Sequence, residues 1–446
     1  MCAIVGLCKI INDRDLEWLN QSCNSLRHRG PDSDGKWIGP KKNIALGHRR
    51  LSIIDTNDIS NQPFISNDSN LAIVFNGEIY NYLELRQELQ DIGFKFRTNS
   101  DTEVLLYAYK YWGEDCLNFL NGMWAFAIFD QTNGYGREKL FISRDRAGEK
   151  PLYYIHNSEK FEFASELKGL RKTNDIDLNA LNHYLALGNV PGDLCISSGV
   201  KKLPPAYAGI YDFENGNFKK WRYWQLPAIN NNFSEKYTIE DLADQSWNLL
   251  TSSVKLRLRS DVPIGVFLSG GLDSSLVTAA AVKESKQTIK TFTVSIPGDD
   301  LDEKKHAQLI ADHFHTDHHV LPIENPSLDI LDDLTSFIDE PIADSSILPS
   351  FLVSRMTRNY VTVALGGDGG DELFGGYDHY QNALRLQKYL KLIPNSFFKP
   401  IAWLSSFLPA GTKGRNLISS LREGTMHSTI WGTPFFDLSL RKKLFK

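Results

Sequence analysis

Short apolar runs punctuated by turn residues fill the first 170 residues of the chain. Residues 3–7, 71–75, 123–130, 140–143 and 151–155 have the length and the β-branched and aromatic content of strands, with two helical stretches among them. That pattern predicts an α+β sandwich of stacked sheets. From about 188 to 240 the texture shifts to Gly, Pro, Asn and aromatics, with Pro191, Pro204, Pro205 and Pro227, as expected of a connection between domains with some extended strands. Beyond Leu242 the period lengthens: an amphipathic helix to about Arg259, an apolar run at 262–268, a glycine loop, a helix to about Lys283 and a second run at 289–296. Strand, helix, strand is the order of an α/β domain with a parallel sheet. The expected division is therefore 1–190, a connection at 191–240, and 241–446. The apolar stretch 392–408 is broken by Pro394 and Pro400 and reads as a core or interface helix, so no membrane span is expected.

A chain of 446 residues that is 42% hydrophobic and 23% charged can bury two or three cores, which excludes a peptide, a fibre or a disordered tail. With 49 basic and 54 acidic residues the net charge is −5, which argues against a nucleic-acid binder and for small-molecule partners. Cys2, Cys8, Cys23, Cys116 and Cys195 have no paired metal spacing and are odd in number, as suits a reducing cytoplasm. The amino terminus lacks the basic start, apolar core and cleavage site of a signal peptide.

Cys2 becomes the first residue if Met1 is removed, and its own amine can then take the thiol proton to give a nucleophilic thiolate. Taken alone, Cys2 reads equally as a small buried residue at a strand start. Four segments stand beside it: Arg27 to Asp32, Arg50 to Asp55, Asn76-Gly77-Glu78-Ile79-Tyr80-Asn81, and Ser100-Asp101. Each has an ordinary alternative. Asn76-Gly77 suits a hairpin turn, Gly30-Pro31-Asp32 a turn, and Ser100 with Glu103 a helix capping box.

In the second half, the run 266–268 leads into Ser269-Gly270-Gly271-Leu272-Asp273-Ser274-Ser275 and then a helix. Such a loop aims backbone amides, the helix dipole and the hydroxyls of Ser269, Ser274 and Ser275 at an anion. It lacks the Gly-Lys-Ser/Thr ending of a Walker A loop. A second loop, Gly366-Gly367-Asp368-Gly369-Gly370-Asp371-Glu372, sets carboxylates among glycines that let backbone approach a nucleotide and Mg²⁺. His313, His315, His318 and His319 lack the partners of a zinc site, and their alternation fits a strand.

Together with Cys2, the four amino-terminal segments resemble the glutaminase domain of class II amidotransferases found in asparagine synthetases, an amino-terminal-nucleophile hydrolase fold. The likeness extends through Arg144-Asp145-Arg146-Ala147-Gly148, Lys150-Pro151-Leu152-Tyr153 and the run from Phe163 to Lys168. The loop at Ser269 resembles the PP-loop of Rossmann-like ATP pyrophosphatases, and the loop at Gly366 with Asp339-Glu340-Pro341 resembles the asparagine-synthetase domain. The resemblance implies that Cys2 forms a glutamyl thioester and that Asn76 and the Gly77 amide make an oxyanion hole. It implies that Arg50 grips the glutamine carboxylate, with Leu51, Ser52, Ile53 and Ile54 beside it, that Glu78 and Asp101 hold the ammonium, and that 27–32 is a flap. It further implies that Leu268 and Val294 meet adenine, Ser269, Gly270, Gly271, Ser274 and Ser275 the phosphates, and Gly366 and Gly367 the ribose side. Asp273 and Asp371 would hold Mg²⁺ with pyrophosphate, and Asp368 would act in adenylate formation and ammonia attack. Glutamine, aspartate or another carboxylate, and ATP are the implied substrates, with an internal ammonia tunnel and a homodimer. Two departures stand out. Asp368 replaces the glutamate usual in the family, which points to an alternative acceptor such as a sugar uronic acid. The chain ends at Lys446 without a counterpart of the family's carboxy-terminal catalytic lysine, which points to a truncated product or a glutaminase-only protein. A non-catalytic ligand-binding relic is the remaining alternative, opposed by the survival of Cys2, Arg50, Asn76, Glu78 and Asp101.

Overall fold

The computed structural model describes residues 1–228 except 133 and 135, 237–295, 303–322, 329–390 and parts of 394–445. Two six-stranded sheets build its first half. One runs in the order β10-β8-β9-β1-β3-β2, with β1 Ala3–Cys8, β2 Ser33–Ile38, β3 Ile44–Arg50, β8 Tyr153–His156, β9 Phe161–Ala164 and β10 Lys201–Lys202. The other runs β12-β11-β7-β6-β5-β4, with β4 Phe64–Ile65, β5 Leu71–Ile79, β6 Gly122–Asp130, β7 Lys139–Arg144, β11 Tyr207–Asp212 and β12 Phe218–Arg222. Every pairing in both sheets is antiparallel.

The sheets face each other across Ile4, Leu46, Val74, Ala127, Ile142 and Phe163. On the outer face of the first, Ala3, Val5 and Leu7 pack under Leu19 and Cys23 of α1 (Asp13–Ser25). On the outer face of the second, Ile73 and Phe75 pack under α2 (Tyr82–Asp91) and α3 (Asp101–Trp112). Strands buried on both faces need apolar residues at consecutive positions, which is why β1 and β6 are legible as runs rather than as alternations. The expected stacked sheets are thus present. Within the expected connection the extended strands β10, β11 and β12 join these two sheets.

The second half holds a parallel sheet in the order β15-β14-β13-β16, with β13 Ile264–Phe267, β14 Lys290–Ser295, β15 Asp317–Pro322 and β16 Val363–Leu365. α5 (Ile239–Arg257) and α6 (Leu272–Glu284) cover it through Val254, Val277 and Ala281, and α7 (Lys304–Phe314) follows β14. The chain proceeds outward from β13 to β15 and returns on the other side as β16. The strand order therefore reverses between β13 and β16, where both glycine loops emerge, and open α/β sheets bind ligands at such a point. His318 and His319 lie on β15, as their alternation suggests, the first bonded to Thr291 (2.9 Å) and the second stacked on Phe292. His313 and His315 instead end and cap α7. No helix of the described residues is long and apolar enough to cross a membrane.

Ion pairs and backbone bonds tie the halves together. Arg259 forks onto Glu84 (2.5 and 2.6 Å), Asp261 accepts from the Asp55 amide (2.7 Å), and Glu340 accepts from Lys202 (2.8 Å) and the Ile196 amide (2.9 Å).

Candidate active sites

Cys2 sits just before β1, with its Sγ 3.4 Å from the Leu51 amide, at the edge where β3 delivers Arg50. Burial raises the thiol's pKa, while the adjacent amino terminus and the Leu51 backbone oppose that rise. The neighbouring Met1 amine is lowered by burial to about 6. Facing Cys2 from the second sheet is β5. Asn76 and Gly77 lie within this strand, paired with Ala125 and Trp124, so the hairpin-turn reading of Asn-Gly does not hold. Glycine is required there because a Cβ would strike the Met123 carbonyl. The Asn76 side chain is 0% exposed, yet neither its Oδ1 nor its Nδ2 has a partner among the described residues. A buried amide without a partner costs free energy, and its Nδ2 is free to donate to a ligand oxygen.

Glu78 and Asp101 lie at the end of β5 and the start of α3, with Asp101 accepting from the Ile79 amide (2.9 Å). Burial, then mutual repulsion, raises Glu78 well above the carboxylate range, and burial raises Asp101 to about 6 against its backbone bonds. Two acids held in this way suit a cationic group that would discharge them. The Ser100–Glu103 cap exists only in part. Ser100 accepts from the Glu103 amide, but the Glu103 carboxylate turns to the amides of Arg97 and Thr98.

Arg50 departs from the simple expectation of a free clamp. Its terminal nitrogens donate to the carbonyls of Asn57, Ile54 and Asp55 and to Asn61 Oδ1, so both edges are spent on the 51–61 loop. No carboxylate pairs with it among the described residues although it is 5% exposed, so its charge remains available to an anion. Ser52 donates to Asp32 (2.8 Å), and Ile53 accepts from the Asp261 amide. In the 27–32 segment Arg29 donates to the Cys2 carbonyl (2.9 Å) and to Glu166 (2.8 Å), and His28 also meets Glu166. Burial opposes it, but these two partners hold the Glu166 carboxyl down at about 2. Arg29, Glu166 and the buried Lys150, whose ammonium donates to Met1 Sδ, belong to the motif segments, but spacing alone does not reveal their contacts.

Gly270 adopts φ +83°, and its missing side chain lets the start of α7 approach, since a Cβ would fall 2.6 Å from the Ala307 amide nitrogen. The hydroxyls expected to meet phosphate instead hold the loop. Ser269 and Ser274 bond each other (3.0 Å), and Ser275 donates to the Gly271 carbonyl (2.7 Å). Leu268 turns its side chain inward. Its side chain is 1% exposed beneath Ala307 and Ala311, which leaves only its backbone for an adenine, while Val294 is half-buried at the strand end. The second loop packs onto the first: a Cβ on Gly370 would lie 2.5 Å from the Asp273 Cγ, and one on Gly367 2.9 Å from the Ser274 amide nitrogen.

A cavity of about 680 Å³ lies between the two regions and is lined by residues of both, though not by Cys2, Arg50, Asn76, Gly77 or Asp101. At one end stand Met1, Leu51, Ile53, Glu78 and Lys150; at the other stand Asp273, Gly366, Gly367, Asp368 and Gly370. The remaining residues expected at the nucleotide, from Leu268 to Gly271 with Ser274, Ser275, Val294 and Asp371, do not line it.

A two-sheet sandwich of the amino-terminal-nucleophile hydrolase kind beside a PP-loop α/β sheet is the architecture of a glutamine amidotransferase coupled to an ATP-dependent synthase. Family comparison agrees: residues 1–224 match a glutamine amidotransferase domain and residues 247–432 an asparagine synthase. The chain belongs to the glutamine-hydrolysing asparagine synthetase family. It is 35% identical to asparagine synthetase [glutamine-hydrolyzing] 1 of Bacillus subtilis, over all of this chain and 70% of that protein. A Methanocaldococcus jannaschii protein named putative asparagine synthetase [glutamine-hydrolyzing] 2 is 39% identical over 88% of this chain and 78% of its own length. Among solved structures, a glutamine PRPP amidotransferase from B. subtilis aligns over 82% of this chain and 90% of its own, at 16% identity and a TM-score of 0.38, too loose a superposition to carry weight.

Proposed function

We propose that the chain makes asparagine from aspartate, glutamine and ATP, releasing glutamate, AMP and pyrophosphate. The single observation that carries this reading is the cavity running from Leu51 and Glu78 to Asp273 and Gly367. Ammonia released into water is protonated and ceases to be a nucleophile, so the coupled reaction needs a sheltered route, and this cavity, lined by both halves, is where it would run.

In this reading Met1 is removed and the amine of Cys2 takes the thiol proton. The thiolate attacks the glutamine amide carbon, and the oxyanion is received by the free Asn76 Nδ2 and the Gly77 amide. Glu78 and Asp101 hold the substrate ammonium. Arg50 meets the carboxylate electrostatically, from a guanidinium whose geometry the 51–61 loop fixes. Arg29 anchors the flap to the Cys2 carbonyl. In the second site the loops at Ser269 and Gly366 receive ATP, and Asp368 serves adenylate formation and ammonia attack.

Mg²⁺ characteristically takes one or two carboxylates and completes its shell with phosphates and water. Asp273 and Asp371 fit that use: Gly370 leaves room for the Asp273 carboxylate, and among the described residues no cluster of three or more ligating side chains offers a protein-only cage. Bound there, the ion would neutralise the leaving pyrophosphate. We assign the first domain to residues 1–224 and place the protein in the cytoplasm, where its five free thiols stay reduced. The test is AMP and pyrophosphate release with ATP, Mg²⁺, glutamine and aspartate, with Cys2→Ala as control. Aspartate-dependent AMP supports the reading, and glutamate release without AMP overturns it.

A further inference from the structure

Arg257 ends α5 on the wall of the cavity between the two sites. Its guanidinium donates to Ser253 Oγ (2.6 Å) and the Ser253 carbonyl, one turn back, and lies 4.6 Å from the centre of the Tyr80 ring across the domain boundary. Tyr80 follows β5, so it belongs to the glutaminase half, and it too lines the cavity. The neighbouring Arg259 also reaches Tyr80, donating to its carbonyl (2.7 Å), but its charge is cancelled by the fork onto Glu84. Arg257 has no such partner: among the described residues no carboxylate lies within 4.0 Å of it. The nearby wall is apolar, formed by Leu250, Val254, Ile264 and Val363. The other charges lining the cavity are Glu78, Glu149 and Lys150 from the first half, of which Glu78 and Glu149 lie near enough to act on Tyr80, and the paired Arg259 with Asp273 and Asp368 from the second.

A fixed, always protonated cation beside apolar walls repels ammonium and leaves neutral ammonia unopposed. Without it, the carboxylates at both ends would favour ammonium within the cavity. We propose that Arg257, steadied on Tyr80, is a charge filter that keeps the transferred nitrogen as NH₃ on its way from Cys2 to Asp368. This rests on the coupled reaction proposed above and adds a specificity-determining residue to it. Arg257 touches no reacting atom in either site.

The test compares Arg257→Met and Arg257→Lys in the full chain, measuring asparagine formed per glutamate released, at neutral pH and at rising pH. Glutaminase turnover and AMP formation with ammonium chloride replacing glutamine are measured alongside. The expected result is a several-fold fall in the asparagine-to-glutamate ratio for Arg257→Met, recovering as alkaline pH converts ammonium to ammonia, with a high ratio insensitive to pH in Arg257→Lys. A ratio unchanged in Arg257→Met overturns the filter, as does an equal loss in Arg257→Lys, which would mean that shape matters and charge does not. Failure of the ammonium-supported reaction in the unaltered protein would strike the coupled reaction itself, so the two failures are distinguishable.

Discussion

Replacing Asn76 with alanine separates function from stability in a way an ordinary buried asparagine would not. The side chain is fully buried with both amide atoms unpartnered, so the folded protein carries about 1–3 kcal/mol of uncompensated desolvation that alanine removes. Against this stands the lost packing of the amide group, of roughly the same size. The net change in unfolding free energy should therefore lie within about 1 kcal/mol of zero. Glutaminase activity should respond quite differently. Loss of one preset oxyanion donor costs about 10²–10³ in turnover, or about 2.7–4 kcal/mol. The assay pairs glutamate release under saturating glutamine with urea unfolding of the same preparations. A variant destabilised by about 3 kcal/mol, or one that retains near-normal turnover, would refute the reasoning, because the amide would then be a structural bond and not a waiting donor.

Gly77→Ala, one residue on, should behave in the opposite manner: its Cβ would meet the Met123 carbonyl, and overpacking of this kind costs about 1–3 kcal/mol, read as a lower urea midpoint. The apparent affinity for glutamine should weaken as pH falls through about 6, because Asp101, raised to that value by burial, becomes neutral and ceases to attract the ammonium; Asp101→Asn should lose that acid limb in a KM–pH profile. The same shift sets a stability trend. A carboxyl whose folded pKa lies above its unfolded value of 3.8 contributes stability below that value and loses it as pH rises through about 6, so Asp101→Asn should gain on the unaltered protein in thermal unfolding at pH 7 relative to pH 4. Gly370→Ala should abolish AMP formation while sparing glutamate release, because its Cβ would fall 2.5 Å from the Asp273 carboxyl carbon; equal loss of both activities would contradict the division of labour between the two sites.

The strands that read clearly in the sequence are those buried on both faces, such as β1 and β6, and the strand, glycine loop, helix order at β13 was equally legible. β3 was not. Its second half is Gly47-His48-Arg49-Arg50, which looks like a polar loop until Arg49 is seen donating to the Cys23 carbonyl at the end of α1 (2.9 Å) and His48 to the Phe75 carbonyl across the sandwich (3.0 Å). Glycine at 47 admits Cys23 and Leu19, a requirement set by tertiary packing alone. The motifs named candidate residues, but how the structure uses them depends on partners that spacing cannot supply. Arg50 is engaged by its own following loop, and the serines of the nucleotide loop bond one another. Arg257 carried no signal, since a basic residue in the last turn of a helix already has a sufficient explanation in the helix dipole.

The central claim is that nitrogen passes between the two sites without leaving the protein. It is tested most directly by giving the enzyme ATP, Mg²⁺, aspartate and glutamine labelled at the amide nitrogen in the presence of excess unlabelled ammonium, then weighing the asparagine by mass spectrometry. Enclosed transfer predicts that the asparagine carries the label, with one AMP formed for each. Asparagine that carries the unlabelled nitrogen of the bulk solution would contradict it.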